Sequence, residues 1–464
     1  MKKIVVLCLC ICILMSFVAF TASATATELP EVAVSSCYGI DANSALLGDG
    51  KLVDNIRAGI LYEANSQTLM YTFEADKAMS PASLVKIMTA LIALEKGQLQ
   101  DNVVVSDEAL SAVPIDAVSA KLQIGEQMKL VDLLYCMMVG SANDAASVIA
   151  EHISGNQEAF VAVMNQYAQE LGCTGTTFIN PHGLHDDQQV TTARDVARIL
   201  DKALKNEQFK KIFTAKTYTV EATNMSNARK LATGNSLVDT SSGLYYDNRV
   251  IGGRTGVAGD GRRCLAAVAE ANGMLLISVV MGAESVYQED GYSAISVGGY
   301  KETSKLLDAG LQGYKTAQVL YANQPLQQCK VENGDCDLVI GPGESVSSVL
   351  PVEATVNNLT YHYTVGSVQA PVAKGDKITT LQVWSGGLCV AETDLYALNS
   401  VQRVQSIAAD ISDEEGPDNG SAVVIFTVVG IVAAALMAVA ALKFLPVLSA
   451  RRRSMRHRRN RKRS

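Results

Sequence analysis

Three short stretches of this chain hold residue types suited to acyl-transfer chemistry. Ser83 and Lys86 lie in SPASLVKIMTALIALEKG, residues 80–97. Ser141 and Asn143 lie in VDLLYCMMVGSANDAASVIAEHI, residues 131–153. Arg254, Thr255 and Gly256 lie in VIGGRTGVAGDG, residues 250–261. A serine hydroxyl is a weak nucleophile until a neighbouring base takes its proton. Lys86 follows Ser83 by one helical turn and shares its face. Its sequence neighbours Leu84, Val85, Ile87, Met88, Leu91 and Ile92 are apolar. Burial near a helix N-terminus lowers a lysine pKa and favours the neutral amine, which is a competent base. Each stretch also has a plain alternative. Ser83 and Lys86 read equally as a surface serine and a snorkelling lysine. Ser141 and Asn143 read as caps, and 250–261 as a Gly-rich loop. That loop lacks both the P-loop order and the dinucleotide-binding order of glycines.

The elements that must position these residues are legible from patterning. Ser80 is a suitable N-cap, Pro81 suits the first helical position, and Gly97 a stop. Leu133, Leu134, Met137 and Met138 form a helical stripe ended by Gly140, and Asn143 or Asp144 is placed to cap the next helix. AGILYEANSQTLMYTF reads as two short strands around Asn65-Ser66. CLAAVAE and MLLISVVMG read as a hairpin joined by Ala271-Asn272-Gly273. Residues 296–314 read as a closing helix. Strands at both ends with helices between them, from about 81 to 213, predict one α+β domain whose sheet is assembled from distant segments. From about 318 to 405 short alternating strands, broken by GPGE, NN and KGD, predict a small all-β domain.

The ends of the chain predict membrane topology. Lys2 and Lys3 precede an apolar run to Phe20 and small residues at 22–26, the pattern of a signal peptide over 1–24. Residues 421–442 contain no charge, enough for a C-terminal transmembrane helix. The tail over 443–464, with RRRSMRHRRNRKRS, fits the positive-inside rule and a cytoplasmic location. Twelve of the 39 basic residues lie in the signal and the tail, and none of the 47 acids does, so 27 bases face 47 acids in between. That balance argues against nucleic acid as a partner of the exterior part. The expected order is then signal peptide 1–24, a leader of uncertain order 25–51, a catalytic domain 52–316, the all-β domain 317–405, an acidic stalk 406–420, the span 421–442 and the basic tail 443–464. The catalytic part is expected on the extracytoplasmic face of the cell membrane.

Seven cysteines remain beyond the signal: Cys37, Cys136, Cys173, Cys264, Cys329, Cys336 and Cys389. Their irregular spacing is neither a disulfide scaffold nor a C-x-x-C metal pair. Cys329 and Cys336 flank an Asn333-Gly334 turn and are candidates to bridge a hairpin. His152, His182, His185 and His362 are the histidines before the tail, and no H-E-x-x-H occurs, which disfavours a zinc carboxypeptidase. No metal and no cofactor is called for.

The order S-x-x-K, S-x-N, basic-T-G resembles the penicillin-recognising serine enzymes. The chain is more narrowly similar to the low-molecular-mass penicillin-binding proteins that are D-alanyl-D-alanine carboxypeptidases, peptidase family S11. FINPHGLHDDQQVTTARD, residues 178–195, resembles that family's N-P-H-G-L segment, and APVAKGDKITTLQV resembles part of its β-domain. The resemblance covers roughly 55–405. It implies a transpeptidase/β-lactamase-like domain, an antiparallel sheet with a helical subdomain, followed by the all-β domain. It implies that Ser83 attacks the carbonyl between the last two D-alanines of a peptidoglycan stem peptide, with Lys86 as its base. Ser141 would carry the proton to the leaving amine and Asn143 would bind substrate. Arg254, Thr255 and Gly256 would meet the terminal carboxylate, and the amides of Ser83 and Val257 would form the oxyanion hole. β-Lactam antibiotics would acylate the same serine.

Two positions depart from the family. Arginine stands at 254 where the family normally has lysine. It keeps the charge and grips a carboxylate bidentately, but it does not release its proton. A catalytically impaired, penicillin-binding or wall-binding homologue is therefore the alternative expectation. Gln189 stands where the family often has histidine, and the sequence assigns it no role. A β-lactamase is disfavoured because no E-x-x-L-N segment is present.

Overall fold

The computed structural model describes residues 35–287 and 294–404. The expected signal peptide, span and basic tail lie outside these residues. Among the described residues no helix is long and apolar enough to cross a membrane.

The Asn65-Ser66 turn joins β1 (Ala58–Glu63) to β2 (Thr68–Phe73). Two small antiparallel ladders follow, one within the helical region and one just after it. One pairs β3 (Asn102–Val104) with β4 (Gln127–Lys129), the other β5 (Thr217–Val220) with β6 (Arg229–Ala232). β7 (Val250–Val257), β8 (Arg263–Ala271) and β9 (Met274–Ala283) complete the main sheet. Its order is β2-β1-β9-β8-β7, and β1 pairs with β9 from Ala58↔Met281 to Glu63↔Leu276. The sheet is thus closed by segments from opposite ends of the domain, as expected. Asn272 and Gly273, at φ +53° and +77°, make the β8–β9 turn, which needs left-handed residues at both positions.

Both faces of this sheet are covered. Cys264, Ala266 and Val268 of β8 join the core beneath the helices, with Ile277, Val279 and Met281 of β9. The alternate residues Leu265, Ala267 and Ala269 join a second core against the helix Tyr300–Gln312, which supplies Leu306 and Leu307. Period-two alternation sends successive side chains to opposite faces. With both faces dry, these strands read as unbroken apolar runs.

The all-β part begins with the strand Tyr314–Leu320, which pairs with Val346–Pro351. The boundary expected at 316/317 falls inside this strand. A five-stranded sheet and a third core around Ile340, Leu381, Val383 and Leu395 make up the rest. The Cys329–Cys336 bridge is not formed, and both thiols are free. The strand Gln327–Cys329 pairs with Leu338–Pro342, while Val331–Glu332 between them pairs elsewhere, with Val368–Gln369. Asn333-Gly334 therefore does not close a two-strand hairpin between the two cysteines.

Part of the segment read as a leader packs firmly. Cys37 is fully buried. Its amide donates to the Cys389 carbonyl at 3.0 Å, and its carbonyl accepts from the Leu69 amide at 2.7 Å. The stretch therefore straps the last strand of the β-domain to β2 of the catalytic sheet.

Glu63 locks the hairpin to β9. It is fully buried, and its carboxylate accepts from the Ser66 amide at 2.7 Å, the Ser66 hydroxyl at 2.5 Å and the Leu275 amide at 2.8 Å. Removing an acceptor strands buried donors at about 1–3 kcal/mol each. Glu63→Ala is expected to lower unfolding free energy by at least about 2 kcal/mol, with Glu63→Gln in between, as read from urea denaturation.

Candidate active site

Ser83 lies in a 3-10 turn, Ala82–Leu84, and the α-helix Val85–Lys96 follows directly. The expected cap is corrected here. Pro81, not Ser80, holds the cap position, and no side chain caps the turn. Ala82 adopts φ +47°. A residue with a β-carbon pays about 1–2 kcal/mol for that region, and the tight turn presents Ser83 ahead of the helix proper.

Lys86 is fully buried. Its Nζ is 3.2 Å from Ser83 Oγ, 2.7 Å from Asn143 Oδ1 and 2.5 Å from the His182 carbonyl oxygen. Burial, with the Arg254 charge as the second cause, pushes its pKa well below 10.5, while Asp144 opposes the shift. A neutral amine has two N–H donors and one lone pair. Asn143 Oδ1 and the His182 carbonyl accept the two N–H groups. The lone pair is left for the Ser83 hydroxyl, so the geometry suits proton transfer from Ser83 to Lys86.

Ser141 and Asn143 occupy the junction between the helices Leu130–Met138 and Asn143–Ser154. Ser141 has φ +62°, a second left-handed residue with a β-carbon, and such strain clusters at functional sites. Neither Asn143 nor Asp144 is the cap, which is Ala142. Their side chains are committed elsewhere. Asn143 Nδ2 donates to the Val118 carbonyl at 2.9 Å, and Asp144 accepts from the amides of Ala120 at 2.9 Å and Leu122 at 3.1 Å. The pair thereby pins the 118–122 loop beside the cleft.

Val250–Val257 of the glycine-rich stretch form an edge strand, β7, and a turn at 258–261 follows. Arg254 projects from the strand into the site and is only 4% exposed. Its guanidinium donates to Ser141 Oγ at 2.6 Å, the Met138 carbonyl at 3.0 Å and the Ser83 carbonyl at 3.3 Å. Burial lowers its pKa to about 10, so it stays cationic at neutral pH. Gly256 lies against the nucleophile turn. A β-carbon there would stand 2.8 Å from the Ser83 amide nitrogen and 2.9 Å from Ala82 Cβ, so glycine is required for that approach. Thr255 and Val257 point to the other side of the strand from Arg254 and Gly256. Val257 is 55% exposed, so any part it has at the site is through its backbone. The structure thus gathers Ser83, Lys86, Ser141, Asn143, Arg254 and Gly256 and leaves the side chains of Thr255 and Val257 on the other face of β7.

A family model of D-alanyl-D-alanine carboxypeptidases matches residues 53–285, and a model of the penicillin-binding protein 5 C-terminal domain matches residues 314–403. The chain belongs to the D-alanyl-D-alanine carboxypeptidase family, peptidase S11. It is 30% identical over 354 residues to D-alanyl-D-alanine carboxypeptidase DacA of Haemophilus influenzae, covering 74% of this chain and 84% of that protein. With DacF of Bacillus subtilis it shares 29% identity over 366 residues, 76% of this chain and 89% of its relative. The crystal structure of penicillin binding protein 5 from Haemophilus influenzae superposes with a TM-score of 0.63 at 29% identity, covering 75% of this chain and 98% of that one.

Two features of this family member escaped sequence reasoning. The N-P-H-G-L segment acts through its carbonyls. The Pro181 carbonyl accepts from Thr89 Oγ1 at 2.6 Å, beside the His182 contact to Lys86. Gly183, at φ +85°, admits no β-carbon, which would meet the Ala82 carbonyl at 2.0 Å. His182 is buried, and burial first, with Lys86 adding to it whenever that amine is protonated, lowers its pKa to about 3. Its ring accepts from the Leu184 amide at 3.2 Å, while His185 is exposed and pairs with Asp187 at 3.3 Å. The second feature is Gln189, which is 2% exposed and hydrogen-bonded within this segment. The carbonyl contacts carry no side-chain signal in the sequence.

The Arg254 charge predicts how Lys86 titrates. Its positive field disfavours a second cation nearby, so removing it raises the Lys86 pKa. In carbon-13 NMR titrations of the lysine ε-carbon, Arg254→Gln is expected to move the Lys86 midpoint to higher pH. Arg254→Lys, which keeps the charge, leaves it near the wild-type position.

Proposed function

We propose that this protein is a serine-type D-alanyl-D-alanine carboxypeptidase that removes the terminal D-alanine from peptidoglycan stem peptides. The observation that carries this reading is the buried Lys86 amine, 3.2 Å from Ser83 Oγ with its two N–H groups engaged by other acceptors. In the proposed reaction the Ser83 proton passes to Lys86 as the hydroxyl oxygen attacks the carbonyl between the two D-alanines. The negative charge that develops on the carbonyl oxygen is met by the amides of Ser83 and Val257. Collapse breaks the C–N bond, and Ser141, which Arg254 orients, relays to the departing amine the proton that Lys86 took from Ser83, so Lys86 is neutral again. Water then attacks the acyl ester as Lys86 takes its proton, and the ester C–O bond breaks as Lys86 returns that proton to Ser83 Oγ, which frees Ser83 and the shortened peptide acid. Asn143 and Gly256 border the cleft, Thr255 meets substrate from the outer face of the edge strand β7, and the Arg254 charge favours the terminal carboxylate. β-Lactams would acylate Ser83 by the same route.

Topology is part of the proposal. The signal over 1–24, the uncharged stretch 421–442 and the basic tail support a catalytic part outside the cell membrane with a single C-terminal span. Chain truncated after residue 420 is expected in the soluble exported fraction, and the full chain in the membrane pellet.

Incubation with a fluorescent penicillin and with a peptide ending in D-Ala-D-Ala tests the activity. Labelling and D-alanine release, both lost in Ser83→Ala, are expected. Labelling without release would favour the impaired, penicillin-binding alternative, and no labelling would sink the mechanism. For Arg254→Lys, a large rise in kcat with little change in KM would locate the cost of arginine in chemistry rather than binding.

A further inference from the structure

We propose that Gln189 is a positioning residue for the general base, holding the His182 carbonyl against Lys86 through the loop 179–184. This rests on the serine-enzyme reading above. Gln189 is the position to which the sequence assigned no role. Its Oε1 accepts from the amides of Ile179 at 3.0 Å and Asn180 at 3.1 Å. Its Nε2 donates to Asn180 Oδ1 and to the Leu184 carbonyl, each at 3.2 Å. Asn180 repeats the pattern one layer in. Its Oδ1 accepts from the Gly183 amide at 2.7 Å, and its Nδ2 donates to the Leu184 carbonyl at 3.0 Å. The two amide side chains therefore fix the backbone on both sides of His182, and Gln189 reaches its neighbours at 179, 180 and 184 without touching Lys86.

Gln189 is itself anchored. The next residue, Val190, exchanges backbone hydrogen bonds with Thr177 at 2.9 and 3.1 Å, and Thr191 exchanges two at 2.8 Å with Met79, just before the nucleophile turn. The loop and the turn are thus built on one short ladder, and Gln189 transfers that rigidity to the His182 carbonyl. An amine whose N–H groups are held by two fixed acceptors has a fixed lone pair. With the His182 acceptor loose, the lone pair no longer points steadily at the Ser83 hydroxyl, and misplacement of a catalytic group costs rate.

The test uses purified full-length protein and measures fluorescent-penicillin acylation against concentration and pH. Gln189→Ala is expected to lower the saturating acylation rate about tenfold with the half-saturating concentration unchanged. The acid limb should also move to lower pH, because the lysine ammonium loses a carbonyl acceptor that favours the charged form. The other groups facing Lys86, namely Arg254 from β7, Asp144 from its helix and the His182 ring, are unchanged in this variant. Gln189→Glu keeps the acceptor for the Ile179 and Asn180 amides, loses the two donors and should fall between, so it decides the matter if Gln189→Ala does not fold. Glu63→Ala controls for lost stability and should leave both the plateau and the limb in place. A folded Gln189 variant with the wild-type plateau and limb overturns the positioning role while the enzyme reading stands. A wild-type protein not labelled at Ser83 overturns both.

Discussion

Everything around the cleft answers to one demand, that a lysine amine be kept dry and still beside a serine. Water around Lys86 would restore its charge, and a charged ammonium cannot accept the Ser83 proton. The helical core packs around it, β7 closes one side, and the His182 carbonyl and Asn143 take its N–H groups. Arg254 adds a fixed positive charge close by while its hydrogen bonds run to Ser83, Met138 and Ser141 rather than to Lys86. One guanidinium therefore ties the three motif segments together and at the same time biases the base toward neutrality.

That arrangement leaves no room for side chains where backbones converge. Gly256 and Gly183 approach the same turn from β7 and from the 179–184 loop, and a β-carbon at either would collide with Ala82 or Ser83. The nucleophile turn is thus clamped between two glycines whose neighbours carry function, Val257 through its amide in the proposed oxyanion hole and His182 through its carbonyl. Ala82 and Ser141 hold left-handed backbone angles in the same small volume. Strain of this kind persists when surrounding contacts over-determine it, and here hydrogen bonds from three segments do so.

The sequence made the sheet and the three motifs legible because each rests on short-range signals. Period-two runs marked β8 and β9, Asn272-Gly273 marked their turn, and S-x-x-K marked a helix with its base one turn on. The nucleophile's cap was misread because Ser80 and Pro81 satisfy capping preferences while Ala82 departs to a left-handed angle that only tertiary contacts justify. Asn143 and Asp144 were read as caps because their side chains suit that duty, yet long-range partners at Lys86, Val118, Ala120 and Leu122 claim them. Gln189 was silent for the same reason. Its four hydrogen bonds go to residues 179, 180 and 184, three of them to backbone atoms, and no local pattern marks a glutamine for that task. The cysteine hairpin failed because an inserted strand pairs elsewhere.

The pairing of β1 with β9 sets a schedule as well as a shape. Ala58 finds its partner at Met281, and β7, the wall that bears Arg254, reaches the sheet only through β8 and β9. Contacts this far apart in sequence form late, since the long intervening loop must first be closed. A growing chain can therefore display the Ser83 helix early and still lack the strand that completes its cleft. The reactive serine is dormant by construction until most of the polypeptide has arrived.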